Sequence, residues 1–250
     1  MMKNGNRPEF PLVRWGILST AAINEAIIRA IAMSPRSELI AVASRTQERV
    51  DNYAEKHGIP RAYGSYDELL NDSYVDAVYV SLPNSLHAEW IVKAARAGKH
   101  VLCEKPLVIS LEEFDAVEAA ARDCKVVVFE AFPHLHHPSI RHALEMVEAG
   151  ALGDVQFING WGYFTLPADD VNNIRLQPEL GGGSLWDIGV YPVSLAITVA
   201  GVGAPVEVWG SQITGDTGVD VAFAGQMRFA NDVTAQISSG ICSPPNTGLV

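Results

Sequence analysis

Cysteine is scarce in this chain. Cys103, Cys124 and Cys242 are its only three, too scattered for a disulfide framework or a zinc site. They are expected as reduced thiols of a cytoplasmic protein. Basic residues are also few: 18 Lys and Arg stand against 29 Asp and Glu, a formal net charge of −11. Nucleic-acid phosphates and anionic membranes both call for a basic surface, so neither is an expected partner. A few local basic groups still suffice for a small anion, so a phosphorylated cofactor stays open. The N-terminus, M-M-K-N-G-N-R-P-E-F-P, has no apolar core segment, and no signal peptide is expected. The longest uncharged stretch, residues 188–205, is interrupted by Pro192, Gly201 and Gly203. It reads as a buried helix plus loop, not a membrane span. Internal repeats and low-complexity tracts are absent.

What is present is an ordinary globular composition, 48% hydrophobic and 19% charged over 250 residues, enough for one large or two modest domains. The first half alternates short β-branched runs with helical patterns. Strands are predicted over residues 13–18, 39–43, 76–82, 100–103 and 126–130. Helices are predicted over 22–33, with Ile23, Ile27, Ile28 and Ile31 on one face, and over 46–56, 86–97 and 111–122. This rhythm means a doubly wound parallel sheet with helices on both faces. Continuous apolar runs such as V-V-V-F at 126–129 are expected to be buried on both sides.

After Glu130 the pattern changes. A helix over 139–148, capped by Ser139, precedes long strand-like runs at 155–165, 206–214, 219–229 and 233–239. The last two flank Ala230-Asn231-Asp232, a hairpin turn. A glycine run, Gly181 to Gly183, and a helical stretch over 185–200 lie between the strands. The expectation is two domains: an α/β dinucleotide-binding domain over 1–130, and an α+β domain over 131–250 on a mostly antiparallel open sheet.

Glycine is missing where such a fold most often uses it. The turn after the first strand reads S-T-A-A-I-N, with Ser19, Ala21 and Asn24 where a glycine-rich fingerprint would have glycines. Ser and Ala are the next smallest residues, and a backbone with negative φ takes them without strain. By itself the stretch fits an ordinary strand-to-helix turn as well as a pyrophosphate site at a helix N-terminus. At the end of the second strand, Ala43-Ser44-Arg45 replaces the acidic residue that usually holds ribose hydroxyls. A hydroxyl and a guanidinium suit a 2′-phosphate, with Arg49 four residues on, so NADP is expected before NAD. The alternative for Arg45 is a solvated surface arginine.

Three further stretches carry a family resemblance: Leu82-Pro83-Asn84-Ser85-Leu86-His87, Cys103-Glu104-Lys105-Pro106, and G-G-G-S-L-W-D-I-G-V-Y at 181–191. In this order and spacing they resemble the Gfo/Idh/MocA oxidoreductases, from Arg14 to about Phe229. Tyr191, four residues after Asp187, is similar to the branch of glucose–fructose oxidoreductase, dihydrodiol dehydrogenases and NADP-dependent xylose dehydrogenases. The resemblance implies a Rossmann domain and an NADP- or NAD-dependent hydride transfer between nicotinamide and a hydroxyl or carbonyl of a sugar or diol. It also implies a homodimer or homotetramer through the second-domain sheet.

Under that resemblance Lys105 is the proton donor and acceptor, drawn below its free pKa by burial and by oxidised nicotinamide. Its bland alternative is an ion pair with Glu104. Asp187 and Tyr191, at i and i+4 on a helix, would share one face toward the substrate. Tyr191 would share the proton relay or hold a sugar oxygen; the alternatives are a core aromatic and a helix-terminus carboxylate. Cofactor contacts are expected from Ser19, Thr20, Ala21, Ala22, Ile23, Ser44, Arg45, Arg49, Leu82, Pro83, Asn84, His87, Glu104 and Lys105, with the pyrophosphate on backbone N–H groups of Thr20 to Ile23. For His87 a purely structural role is an equal alternative. His134, His136, His137 and His142 have no carboxylate or cysteine at ligand spacing, so no metal is expected. Phe132-Pro133-His134-Leu135-His136-His137-Pro138 departs from the aromatic-Arg-x-His-Pro pattern of the branch. The chain stops at Val250, inside what resembles the family's central sheet, so a truncated C-terminus or an exposed sheet edge is expected. The rival functional reading is a non-catalytic cofactor-binding or regulatory protein on the same scaffold.

Overall fold

The computed structural model describes residues 11–167, 170 and 172–249, so most of the N-terminal stretch and Val250 lie outside the described residues. The chain divides after Ala131 into two compact units.

In the first unit the order is β1 (Val13–Leu18), α1 (Asn24–Met33), β2 (Ser37–Ala43), α2 (Gln47–His57), β3 (Arg61–Tyr63), α3 (Tyr66–Leu70) and β4 (Ala77–Val80). It continues with α4 (His87–Arg96), β5 (His100–Glu104), α5 (Leu111–Cys124) and β6 (Val128–Ala131). The strands lie in the order β3-β2-β1-β4-β5-β6 with every pair parallel. This is a doubly wound sheet whose winding reverses between β1 and β4, where such sheets bind ligands. One core packs Val78, Val80, Ile91, Val101 and Val117 on the α4–α5 side, and another packs Ile17, Val42, Val50 and Tyr79 on the α1–α2 side.

Two expectations fail here. The V-V-V-F run is not buried on both sides: β6 is an edge strand, and Val127 and Phe129 are exposed. Ile23, placed on the buried face of α1, is half exposed because the helix begins at Asn24 and Ile23 is still part of the turn. The sequence reading also passes over β3 and α3. β3 is three residues long and α3 five, too short for a period to show.

In the second unit α6 (Pro133–His136) and α7 (Pro138–Glu148) precede β7 (Phe157–Thr165). A π turn over Leu185–Gly189 runs into α8 (Val190–Ala200), followed by β8 (Glu207–Thr214), β9 (Asp220–Arg228), β10 (Thr234–Gly240) and β11 (Cys242–Leu249). The sheet order is β11-β7-β10-β9-β8, with only the β7–β10 pair parallel. The cap of α7 is His137, whose side chain accepts from the Ser139 N–H, and not Ser139 itself. β11 contains Pro244, Pro245 and Gly248 and is not among the predicted strands. A sheet edge tolerates prolines, and the register shifts between Cys242 and Asn246. By length and composition alone, Pro178–Ala200 is apolar enough to cross a membrane. Here it breaks into 3₁₀, π and α turns, with Ala196 and Ala200 in a core with Ile158, Phe229 and Ile237.

Two glycines of the run, Gly182 and Gly183, are required by the packing of this unit. A Cβ on Gly182 would stand 2.5 Å from the Arg175 carbonyl oxygen. Gly183 has φ +117°, and its Cβ would stand 2.2 Å from Asp220 Oδ1. Asp220 must come this close because its Oδ2 accepts from Ser184 Oγ (2.5 Å) and from the Leu185 N–H (2.9 Å), satisfying the start of the helix. Gly183→Ala is therefore expected to lower stability by about 2 kcal/mol or more, from backbone strain plus overpacking. Urea unfolding monitored by circular dichroism checks this, and an unchanged midpoint would contradict it.

Candidate functional site

The β1–α1 turn is closed by side chains. Asn24 is fully buried; its Nδ2 donates to the Ser19 carbonyl (3.0 Å) and its Oδ1 accepts from Ser81 Oγ (2.6 Å). Ser81 has thereby used its only proton, so in the 2.7 Å contact between the two hydroxyls Ser19 is the donor. Ser19 Oγ in turn accepts from the Ala21 N–H at 3.1 Å. The result is a directed circuit, Ala21 N–H to Ser19 to Ser81 to Asn24 and back to the Ser19 carbonyl. Such a chain strengthens cooperatively in a buried setting.

This geometry corrects the expectation of a negative-φ turn. Ser19 has φ 135°, a conformation that favours glycine, so the glycine-like backbone persists without the glycine. Asn24, unexpected at a position that usually takes a small residue, holds Ser19 there. Of the N–H groups of Thr20 to Ile23, that of Ala21 is spent on Ser19, while those of Thr20, Ala22 and Ile23 have no partner among the described residues. Three unpaired donors at a helix N-terminus on a parallel sheet fit the pyrophosphate of a dinucleotide.

Arg49 reaches this turn, its Nε donating to Thr20 Oγ1 at 2.7 Å. Arg45 and Arg49 are exposed, and both bear electrostatically on the half-buried Tyr66, whose hydroxyl pKa is raised by burial and pulled back by the two guanidiniums. Ser44 is buried, with its backbone N–H on the Tyr63 carbonyl at 3.0 Å. The structure therefore brings Thr20, Arg45 and Arg49 into one region, with Tyr66 as a neighbour that sequence reasoning missed.

At the end of β5 the loop carrying Lys105 is held from three directions. Tyr79 Oη donates to Glu104 Oε1 at 2.5 Å. His87 Nδ1 meets the Pro106 carbonyl at 2.7 Å, and its Nε2 meets the Leu82 carbonyl at 2.8 Å. Glu130 Oε1 accepts from the Leu107 N–H at 2.8 Å. His87 is fully buried, and burial lowers its pKa against the two carbonyls, which favour the cation. Both ring nitrogens face backbone carbonyls, so His87 ties the L-P-N-x-x-H segment to the E-K-P segment. Leu82 is buried, and Pro83 and Asn84 begin the 3₁₀ turn over Asn84–Leu86. Tyr79 and Glu130 were not anticipated, since neither lies in a recognised motif.

In the second unit Asp187 sits in the π turn and Tyr191 in α8. Asp187 Oδ2 accepts from Arg175 Nε at 2.6 Å, an ion pair that sequence reasoning missed because twelve residues separate the partners. Tyr191 packs edge-on against His134 and Phe132, with ring centroids 5.0 and 5.9 Å away. Ser194 Oγ donates to the Tyr191 carbonyl (2.9 Å), and His134 Nε2 contacts the same hydroxyl at 3.0 Å. His142 Nδ1 lies 3.6 Å from Glu145 on α7.

Residues 13–132 match the family described as GFO/IDH/MocA oxidoreductases with an NAD-binding Rossmann fold, and residues 140–249 match the GFO/IDH/MocA C-terminal domain. The chain is 41% identical over 231 residues to D-xylose 1-dehydrogenase (NADP(+)) 2 of Haloferax volcanii, covering 92% of this chain and 70% of that protein. It is 34% identical, with a TM-score of 0.87, to a 3-ketoreductase from Actinomadura kijaniata solved with NADP and TDP-benzene, covering 95% of this chain and 73% of that one. It is also 32% identical, TM-score 0.86, to an aldose-aldose oxidoreductase from Caulobacter crescentus complexed with glycerol, over 93% of this chain and 72% of that one.

Asn24→Ala would leave the Ser19 carbonyl without its donor inside the protein, while the Ser81 hydroxyl keeps its contact with Ser19 Oγ. A loss of about 1–3 kcal/mol is expected for the unpaired carbonyl. Urea unfolding measures it, and a loss below about 0.5 kcal/mol, within the range of a neutral surface change, would show that the circuit does not hold the turn.

Proposed function

The chain belongs to the GFO/IDH/MocA oxidoreductase family, and on that premise we propose that it is an NADP-dependent dehydrogenase or reductase acting on a hydroxyl or carbonyl of a sugar or diol. The observation that carries this reading is the β1–α1 turn, with three N–H donors that have no partner among the described residues, Arg49 on Thr20, and Arg45 exposed on the loop that leads into the helix of Arg49. The NADP named for the Haloferax relative and bound in the Actinomadura relative supports the same choice.

The bound nicotinamide supplies or accepts the hydride. Thr20, Ala22 and Ile23 hold the pyrophosphate by backbone N–H groups, and Arg45, with Arg49 behind Thr20, neutralises the 2′-phosphate. Lys105 Nζ gives a proton to the carbonyl oxygen in reduction and takes one from the hydroxyl in oxidation. Its loop is fixed by Tyr79 and His87, so the ammonium is presented without a search among loop conformations. We assign Tyr191 and Asp187 to the substrate oxygens, with Arg175 fixing the Asp187 carboxylate.

A second copy of the chain is the partner we assign to the open face of the second sheet. Register puts Trp209, Ile213 and Phe157 on the face opposite Ile158, Met227 and Ile237, and these three are 63%, 66% and 50% exposed. Apolar side chains this exposed on one sheet face suit burial against a like surface. We place the protein in the cytoplasm, as reduced thiols suggest.

Lys105→Met is expected to lower kcat by about 10²–10⁴-fold with NADPH affinity retained. Arg45→Ala should weaken NADPH by about 10–100-fold, with NADH unchanged, for the loss of one charge-assisted contact of about 1.5–3 kcal/mol. Fluorescence titration of both cofactors, with turnover of D-xylose and of trans-diols, decides this. Full activity of Lys105→Met, or equal losses for both cofactors, would overturn the assignments. Light scattering should give a dimer or tetramer that Trp209→Glu dissociates; a monomeric wild type would remove the self-association.

A further inference from the structure

Glu130 stands on the edge strand β6, opposite Cys103 of β5. Its carboxylate is largely removed from water. Burial pushes its pKa above the usual carboxylate range, the Leu107 N–H opposes this, and Glu104 adds to it. Cys103, fully buried on the neighbouring strand, has its thiol pKa raised by burial and then by Glu104 and Glu130. A carboxylate at such a place is costly unless a donor compensates it. Glu130 reaches across to the loop after β5 and accepts the Leu107 N–H, two residues beyond Lys105.

The other ties on that loop lie elsewhere. Tyr79 acts on the Glu104 side chain, His87 on the Pro106 carbonyl, and Glu113 Oε2 on the Ile109 N–H. Among these contacts the partly buried Leu107 N–H has Glu130 as its acceptor.

We propose that Glu130 is a positioning residue for Lys105: by holding the Leu107 N–H it fixes the turn that presents the ammonium, so turnover depends on its reach while cofactor binding does not. This rests on Lys105 being the proton-transfer group. Reach, not charge, is the property required, since the acceptor must bridge from one strand to the loop.

Three variants separate the two. Glu130→Gln keeps the reach and loses the charge, Glu130→Asp keeps the charge and retracts by one methylene, and Glu130→Ala loses both. Hydrogen exchange of the Leu107 amide should be protected in the wild type and in Glu130→Gln, and about 10-fold or more faster in Glu130→Asp and Glu130→Ala. With a substrate turned over by the wild type, kcat should fall about 10–100-fold in Asp and Ala, with KM for NADPH within about threefold, and be restored in Gln. Should the alanine variant not fold, the Asp and Gln pair gives the same decision. Wild-type kcat in Glu130→Asp, or Leu107 exchange unchanged in it, overturns the proposal. Failure of the wild type to turn over any sugar or diol overturns the functional reading instead, and the exchange measurement, which needs no turnover, still decides whether Glu130 holds the loop.

Discussion

The structure turns on a hydrogen-bond circuit of three small polar side chains. Ser19, Ser81 and Asn24 are all buried, and they close the first strand-to-helix turn at a φ that glycine would adopt freely. A glycine there would lose more backbone freedom on folding. Serine instead accepts a strained conformation, stabilised by bonds its own hydroxyl and carbonyl make. The circuit also consumes the Ala21 N–H and leaves its neighbours unspent, and that choice determines which donors are aimed at an anion.

The same principle recurs at the other two points where chemistry is expected. The loop bearing Lys105 is fixed by a phenol, an imidazole and a carboxylate, each contributed by a different element, β4, α4 and β6. The start of the helical segment bearing Asp187 and Tyr191 is fixed by Asp220 from β9, and the glycines beside it are needed so that the carboxylate can approach. In each case a polar side chain from a neighbouring element satisfies backbone groups that the local chain cannot, which is the requirement for a buried irregular segment. Lys105 and Tyr191 therefore sit on parts of the chain with little freedom to move.

Much of this was legible in the sequence because the strong signals are local. Alternating apolar runs and helical periods located most elements of the parallel sheet, and E-K-P, P-N-x-x-H and G-G-G-x-x-x-D-x-G-x-Y marked the strand ends and the helix start. What escaped was of two kinds. Elements too short or too rich in proline to show a period, β3, α3 and β11, were invisible. So were partners distant along the chain: Ser81 for Asn24, Arg175 for Asp187, Glu130 for Leu107. The V-V-V-F run misled because an apolar strand looks the same at an edge as in the middle of a sheet. Asn24 looked like a flaw in a fingerprint because its partner lies 57 residues on.

The central claim is that small residues, held by the circuit, present the phosphate-binding donors. Titrating ¹⁵N-labelled protein with NADP⁺ and following the backbone amides tests it most directly. The account predicts the largest shifts at Thr20, Ala22 and Ile23 and a smaller one at Ala21, whose N–H stays on Ser19. Amides of the turn left unmoved at saturating NADP⁺, or Ala21 moving as far as its neighbours, would contradict it.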